Sequence, residues 1–469
     1  MDIVSHKPSH LISTLYLLIL CDYSCNMSLW NKLFKPVDLS PPIERFQAHF
    51  GRFTDANKTP DQHEAWDAAM SHFEQRDYPL ALDRFIYYIQ DPAKSNIIRK
   101  DNSTNSFQIL QGSKTIEVQV KNGHLQVQCH VAIAEQLHIG FMRRLLDLNY
   151  ELKYVRYGLS DEQIVTLLFD TALDDASPYK LYFALKELSI HADKQDELLV
   201  NEFGFLKPIQ AGRVEALPAI EQAHKLDFIK KSIAKAIDII DKGRLKIEQY
   251  PAAGGYILLA LLYKLDYLIR PEGSLMDKIE LIHKSYFSQD NKNLLQKLKQ
   301  MRLDLSKIGL LSDQDILHDL YVTTFTFGIT SPANTAMVIE VLDREIQNCR
   351  WYMDNQYPEY VIAIIEYAAG ICLFNFALPP PIKELFTMIY RVTEPEYFVP
   401  VEGYGSLLNE AGLPDRSAIR QELNMIEKKY LKEYPSLRLD ARSLAYDQVS
   451  SFVYSLIQMI RPLQLNKNK

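Results

Sequence analysis

The chain has 469 residues, enough for two or three domains that each bury a core. Apolar residues make up 47% and charged residues 24% of the sequence, which is typical of folded globular proteins and excludes a disordered or collagen-like chain. The formal net charge of -7 gives no general attraction for polyanions, so we expect no nucleic-acid partner.

The first predicted feature is an apolar run at residues 11–21, behind Lys7. It resembles the apolar part of a signal peptide, but it is too short to span a bilayer and lacks the small residues of a cleavage site before Cys21. The alternative is that translation starts at Met27, which begins an ordinary cytosolic N-terminus. We therefore interpret residues 1–60 as an N-terminal extension that holds either a weak signal-like segment or a mis-assigned start.

A helical hairpin is predicted at the start of the next region. Apolar residues recur at helical spacing over residues 61–90, on both sides of a break at Asp77-Tyr78-Pro79. The hairpin resembles a single tetratricopeptide repeat. Since one repeat cannot bury its apolar face alone and no second copy follows, we do not expect a solenoid.

Three antiparallel strands are predicted after the hairpin, because apolar and polar residues alternate and Gly112-Ser113 and Asn122-Gly123 separate the strands at hairpin distance. In the third strand we expect one face to be buried, with Leu125, Val127, Cys129, Val131 and Ile133 on it. The remaining predicted elements are a helix at 139–149, a strand pair at 154–159 and 164–170, and a helix at 178–205.

This order of elements resembles the YbjN and type III secretion chaperone-like fold. The sequence MRRLLDLN at 142–149 is similar to the leucine-rich helix that ends in Asn in YbjN-type domains. The sequence SPYKLYFALKEL at 177–188, with Ala192-Asp193 and Asp196, looks like their closing helix. The resemblance covers residues 61–206 and implies an α+β domain, an antiparallel sheet with flanking helices, that accepts another protein chain.

An all-α domain is predicted over residues 219–469, after a linker at 207–218 that contains prolines and Gly212. Two of its segments, 256–263 and 360–378, are apolar on all sides, and we interpret them as central helices of a bundle without stable membrane insertion. The predicted helices are 220–242, 252–269, 274–286, 291–304, 312–327, 332–355, 358–377, 381–391, 416–433 and 440–460.

The sequence offers little sign of catalysis or of metal and cofactor binding. It contains none of the common nucleotide-binding or hydrolase motifs. His124 and His130 lie about 20 Å apart along one strand, too far for a shared metal with His138. Lysines recur over residues 225–246, which predicts either a solvated helix face or an anion-binding surface. We therefore expect no metal and no cofactor.

The leading interpretation is a cytoplasmic, bacterial-type, non-catalytic protein that binds a protein partner and possesses a chaperone-like module. A reducing compartment fits the five cysteines, which form no C-x-x-C pair. Candidate protein-binding residues are Tyr179, Tyr182 and Phe183, whose alternative role is core packing. A homodimer is one form that the partner could take. The alternative function is an enzyme with a site in the helical domain or the interdomain cleft.

Overall fold

The helical hairpin predicted at the start of the folded region is confirmed. The computed structural model describes residues 44–91, 94–99, 105–209 and 214–463. Helix α1 (Pro60–Glu74) begins at Thr59, whose hydroxyl accepts the N–H of Gln62, and helix α2 (Tyr78–Ile89) begins at Asp77, whose carboxylate accepts a backbone N–H. The signal-like run at 11–21 and the alternative start at Met27 lie outside the described residues.

An antiparallel sheet follows the hairpin, as predicted. Its strand order is β1-β2-β3-β4-β6-β5, and β7 pairs with one end of β4. Between β3 and β4, Asn122 and Gly123 both have positive φ angles, 51° and 76°, which a two-residue hairpin turn of this type requires. The strands are β1 (Ile97–Arg99), β2 (Ser106–Gln111), β3 (Lys114–Lys121), β4 (His124–Ala134), β5 (Arg156–Leu159), β6 (Ile164–Ala172) and β7 (Leu206–Pro208).

A β-bulge in β4 changes which side chains reach the core. The register against β6 shifts between His130 and Ala132. Beyond the shift Ala132 and Ala134 are buried, whereas Ile133 is 39% exposed. The prediction that Ile133 faces the core was wrong, because one extra residue in a strand inverts the alternation of side chains. The other predicted core residues of this strand are buried: Leu125, Val127, Cys129 and Val131.

Helices α3 (Ile139–Glu151) and α4 (Pro178–Glu202) complete this α+β region. The hydroxyl of Ser177 caps α4 by accepting a backbone N–H. In α4 the Glu187 carboxylate accepts the backbone N–H groups of Lys153, Tyr154 and Val155 at 3.0, 2.7 and 3.2 Å. These bonds hold the segment that leaves α3 against the middle of α4.

The rest of the chain is mostly helical, as predicted. After the two-residue strand β8 (Glu215–Ala216), the helices are α5 (Ala219–Lys242), α6 (Pro251–Lys264), α7 (Gly273–Phe287), α8 (Leu294–Gly309), α9 (Asp313–His318), α10 (Thr335–Asp354), α11 (Pro358–Asn375), α12 (Pro380–Thr393), α13 (Pro395–Phe398), α14 (Arg416–Tyr430) and α15 (Val449–Ile460). Helix α6 continues into a π-helical turn, Leu265–Ile269. The last predicted helix starts nine residues later than the predicted 440, at Val449.

Residues 319–330, here called the arm, differ from the prediction of a helix over 312–327. The helix ends at His318, and the arm crosses to the α+β region. The Gly112 N–H donates to the carbonyl of Thr324 at 3.0 Å, and the amide oxygen of Gln111 accepts the N–H of Phe327 at 3.0 Å. The predicted helix failed because contacts distant in sequence satisfy the backbone of the arm better than a local helix does.

The short strands of the helical region lie at both ends of the arm. Strand β9 (Tyr321–Val322) pairs with β8, and strand β10 (Ser331–Pro332) pairs with β11 (Phe376–Ala377). The arm is therefore fastened to the helical region at its two ends and to the sheet of the α+β region in its middle.

Buried apolar side chains form two clusters within Arg45–Lys469, which is one compact unit. One cluster is built from residues of the α+β region together with Phe327 of the arm, which is 1% exposed. The other is built from the helical region and Phe46. The α+β core is therefore completed by a residue that lies more than a hundred positions further along the chain, while the division at 207–218 stays a prediction.

Two helices of the second cluster are apolar on nearly all sides. The segments Pro251–Ile269 and Pro358–Asn375 are long and apolar enough to span a membrane, and 89% and 67% of their apolar windows are buried inside the structure. The Lys264 ammonium lies in this interior, 2.9 Å from Glu366 and in contact with Glu394. Because core helices of soluble proteins share this length and composition, cytoplasmic location stays a prediction.

Candidate functional site

The three aromatic residues predicted to bind a partner lie on the first turns of α4, in two different environments. Tyr179 and Phe183 are 55% and 50% exposed. Tyr182 is partly buried, and its hydroxyl donates to the Asp55 carboxylate at 2.7 Å. Burial, and then the negative charge of Asp55, raise the pKa of Tyr182. Tyr182 is therefore tied to the interior, whereas Phe183 and Tyr179 are about half exposed, with the Tyr179 ring 4.9 Å from that of Trp66. The protein-binding role stays a prediction for the exposed pair.

A second set of exposed apolar side chains lies on α3 and is here called the α3 stripe: Ile139, Met142, Leu146 and Tyr150, which are 88%, 39%, 67% and 93% exposed. Their spacing of three or four residues places them on one face of the helix. The core-facing side chains of α3 lie on another face: Phe141, Leu145 and Leu148. Helix α3 is thus apolar on two faces, and only one of them is covered.

Two opposite charges flank the α3 stripe. Arg143 and Asp147 are both exposed and lie four residues apart, beside Leu146. Neither has an ion-pair partner among the residues that the structure describes, in contrast to the neighbouring Arg144, which contacts Glu202 at 3.4 Å. Sequence reasoning had missed this surface, because it looked for a single apolar face per helix. The signal was the second apolar series in the same thirteen residues.

A cleft of about 320 Å³ lies where the α+β region, the arm and α7 meet. Its walls come from α4, the turn between β2 and β3, the arm, α7 and the segment that contains Arg52 and Phe53. Apolar side chains in its lining include Phe53, Ile190, Met276, Phe325 and Ile329. A volume of this order is suited to a small molecule, and lining that is apolar with a few charged groups is usual for ligand sites.

Two cations of the cleft lining, Arg52 and Lys194, form ion pairs with carboxylates. The Arg52 guanidinium contacts Asp266 at 2.7 Å and Glu280 at 3.0 Å, and Lys194 contacts Glu280 at 2.7 Å. Burial lowers the pKa of Arg52, but the two carboxylates more than offset this, so that its pKa is raised. Arg52 therefore stays charged and is held by protein groups.

Arg270 is the cation of the cleft that lies farthest from a carboxylate. Its backbone, with φ of 49°, ends the π-helical turn, and its side chain is 20% exposed. The nearest carboxylate, of Glu272, lies 3.8 Å away, and no hydrogen bond joins the guanidinium to the residues described here. The guanidinium carbon lies 5.3 Å from the ring centre of Phe325.

The positive charge of Arg270 contributes to the lowered pKa values of two neighbouring groups outside the cleft lining. Burial, and then the positive charges of Arg270 and Lys94, lower the pKa of Lys383 to about 8. The same order of causes, burial and then Arg270, lowers the pKa of His49. Arg270 therefore adds a positive potential at Lys383 and His49.

His130 and Lys225, two of the residues singled out in the sequence, are engaged in ordinary contacts. Nδ1 of His130 lies 2.9 Å from the hydroxyl of Thr166. Within the described ranges, no group of three or more His, Cys, Asp and Glu side chains is arranged to hold a metal ion. Lys225 is buried and contacts Glu221 at 2.9 Å. The lysine series at 225–246 thus begins with an internal ion pair.

No protein-family model matches the chain, and no curated protein is similar to it. The mixed architecture, with an antiparallel sheet in the N-terminal half and mostly helices in the C-terminal half, is present in the structure. The resemblance of residues 61–206 to YbjN and secretion chaperone-like domains stays a prediction that depends on element order and sequence texture.

Proposed function

We propose that this protein is a non-catalytic protein-interaction protein and that the α3 stripe is the surface on which another chain binds. The supporting observation is the exposure of four large apolar side chains along one face of a helix whose other apolar face is already in the core. Exposed apolar area of this kind gains free energy when a partner covers it, at roughly 25 cal/mol per Å². An amphipathic helix is the occupant that matches a straight apolar stripe.

The charges beside the stripe favour a second copy of this chain as the occupant. Arg143 and Asp147 lie on the same flank of α3, one turn apart. In an antiparallel pair of α3 helices related by a two-fold axis, each Arg143 faces the Asp147 of the other copy, because every contact in such an interface occurs twice. The stripe is therefore complementary to itself in charge as well as in apolar character.

The exposed aromatic residues of α4 extend the same proposal. Glu187 binds the segment that leaves α3, and Phe183 and Tyr179 lie one and two turns before Glu187 on α4. Both rings are about half exposed. They provide aromatic contact area on the helix that holds the segment leaving α3, and aromatic side chains often dominate binding energy at protein interfaces. The chaperone-like role implied by the family resemblance is part of this proposal.

Sedimentation velocity of the full chain over a wide range of concentrations tests the proposal. We expect a reversible dimer, and we expect Leu146→Glu to abolish it, because a charge would be buried in the apolar contact. The matched control is Leu281→Glu on α7, since Leu281 is 64% exposed against 67% for Leu146. A wild-type chain that stays monomeric at every concentration, or equal effects of the two variants, would overturn the proposal.

A charge exchange distinguishes an ordered pair of α3 helices from non-specific sticking. Arg143→Asp and Asp147→Arg should each weaken self-association about tenfold or more, because like charges then face each other. An equimolar mixture of the two variants should restore it, since each acidic side chain of one chain then faces an arginine of the other. Failure of the mixture to recover association would exclude the antiparallel arrangement.

A further inference from the structure

Arg270, whose guanidinium makes no hydrogen bond to the described residues, and the aromatic rings beside it make the cleft a candidate ligand site that is separate from the α3 stripe. We propose that the cleft binds a small organic oxyanion, a carboxylate or a phosphate, attached to an aromatic or other planar apolar body. Arg270 binds the oxyanion, and Phe53 and Phe325 pack against the body. This proposal does not depend on the function proposed above, because it concerns a different surface.

Arg270 is assigned to the oxyanion because the other cations of the lining already have protein partners. Arg52 and Lys194 share the carboxylate of Glu280, and Arg52 also binds Asp266. Arg270 is partly exposed, and its donors make no hydrogen bond within the described part of the chain. A guanidinium carries five N–H donors in a planar fork whose geometry matches an oxyanion, so a bound carboxylate or phosphate would satisfy donors that the protein leaves to solvent.

Of the four acidic side chains in the lining, Glu280 and Asp193 are engaged by other protein groups. Glu280 is held by two cations, and the Asp193 carboxylate accepts the backbone N–H of Ser113 at 2.9 Å. Glu272 stands 3.8 Å from Arg270, beyond the distance of a hydrogen bond. On the opposite side, burial and then the positive charges of Arg270 and Lys94 lower the pKa of Lys383. The guanidinium thus keeps the capacity to attract an anion.

The aromatic part of the site is a pair of nearly parallel rings. The rings of Phe53 and Phe325 lie 6.1 Å apart at 18°, and both side chains are partly exposed. The Arg270 guanidinium lies 5.3 Å from the ring centre of Phe325, and the Lys94 ammonium lies 4.6 Å from that of Phe53. A planar apolar group packs favourably against such rings, and a charge at its end falls beside a cation.

Calorimetric titration with three probes tests the proposal on the full chain: indole-3-acetate, its neutral analogue indole-3-acetamide, and phenyl phosphate. We expect at least one oxyanion to bind more tightly than the neutral amide. The comparison of indole-3-acetate with phenyl phosphate shows whether the site takes a carboxylate or a phosphate. The proposal would be overturned if neither indole-3-acetate nor phenyl phosphate bound. It would also be overturned if phenyl phosphate did not bind and indole-3-acetamide bound as tightly as indole-3-acetate.

Variants separate the two parts of the site. Arg270→Gln should weaken binding of the preferred oxyanion roughly tenfold and leave the amide unchanged, since it removes a charged hydrogen-bond donor. Phe325→Ala should weaken both to a similar extent. The charge-matched control is Arg350→Gln, an exposed arginine on α10, which should change neither. Equal losses in the variants at positions 270 and 350 would contradict the assignment.

A further variant controls for loss of binding that is caused by misfolding at position 270, where the backbone φ is 49°. Arg270→Asn removes the guanidinium with a residue that tolerates a positive φ angle, and it should reproduce the selective loss of oxyanion binding with an unchanged circular dichroism spectrum. Leu146→Glu should retain full oxyanion binding, because the cleft and the α3 stripe are separate surfaces. Retention of oxyanion selectivity in a folded Arg270→Asn variant would exclude Arg270 as the anchor.

Discussion

Replacing Phe327 by alanine tests whether the arm completes the core of the α+β region. Phe327 is 1% exposed, and its ring lies 5.8 Å from that of Tyr182 in an edge-to-face arrangement. Its backbone is held on both sides by Gln111, whose amide accepts the N–H of Phe327 at 3.0 Å and donates to its carbonyl at 3.1 Å. The backbone would therefore keep its place in the variant, and an unfilled cavity would remain where the ring was.

The expected loss is about 3–5 kcal/mol of unfolding free energy, since Phe→Ala in a core loses both the transfer free energy of the ring and the packing around it. A typical domain has only about 5–15 kcal/mol of stability, so the effect is a large fraction of the whole. The matched control is Ile329→Ala on the same arm. Ile329 is 52% exposed, and its replacement should change stability by no more than about 0.5 kcal/mol.

Urea unfolding followed by tryptophan fluorescence measures this loss of unfolding free energy in the α+β region. Trp66 packs against Tyr88 at 4.7 Å in the α+β region, and Trp351 lies on α10. Trp30 and Trp351 are replaced by Phe so that only Trp66 reports. The midpoint of the unfolding transition seen by Trp66 should then lie at a clearly lower urea concentration in the Phe327→Ala variant. A loss below about 1 kcal/mol, or one equal to that of Ile329→Ala, would refute the inference that the arm completes this core.

Two further predictions concern the helical region. Gly370→Ala should destabilise the protein by about 1–3 kcal/mol in thermal or urea unfolding, because the added Cβ would lie 2.5 Å from Cβ of Tyr263, whereas Gly140→Ala, whose Cβ meets nothing within 4 Å, should not. Lys383→Met should stabilise the protein most at neutral pH. The pKa of Lys383 is lowered by burial from 10.5 to about 8, so charging it costs the folded state up to about 3 kcal/mol below pH 8. That cost disappears as the pH rises from 8 to 10.5, so urea unfolding should show the advantage of Lys383→Met falling over this range, and an advantage independent of pH would contradict the assignment.

Local regularities were enough to predict most of the secondary structure. The hairpin of α1 and α2, the existence of strands β2 to β6 and the boundaries of most helices follow from apolar periodicity and from turn residues such as Asn122-Gly123. These signals act between residues that are close in sequence, and for that reason they can be read without the tertiary structure.

The failures have a common cause in contacts between distant parts of the chain. Residues 319–327 carry a helical pattern, but Gln111, more than two hundred positions earlier, takes the backbone N–H of Phe327. Ile133 alternates correctly in the sequence, yet the bulge against β6 turns it outward. In both cases the favourable local choice was outweighed by hydrogen bonds and burial that form only once the elements pack.

The two candidate surfaces likewise combine features that can be read from the sequence with features that depend on tertiary packing. The apolar residues of the α3 stripe are readable in the sequence, but their exposure is decided by which face of α3 covers the α+β core. The cleft was beyond sequence analysis, because Arg52, Arg270 and Phe325 come from three distant segments without a shared motif. The sequence alone determined most helices and strands of the fold, since periodicity and turn chemistry are local, but not the conformation of the segments that carry Arg52 and Phe325. Only the tertiary structure decided that they meet around one cavity, because the arm must first cross to the α+β region.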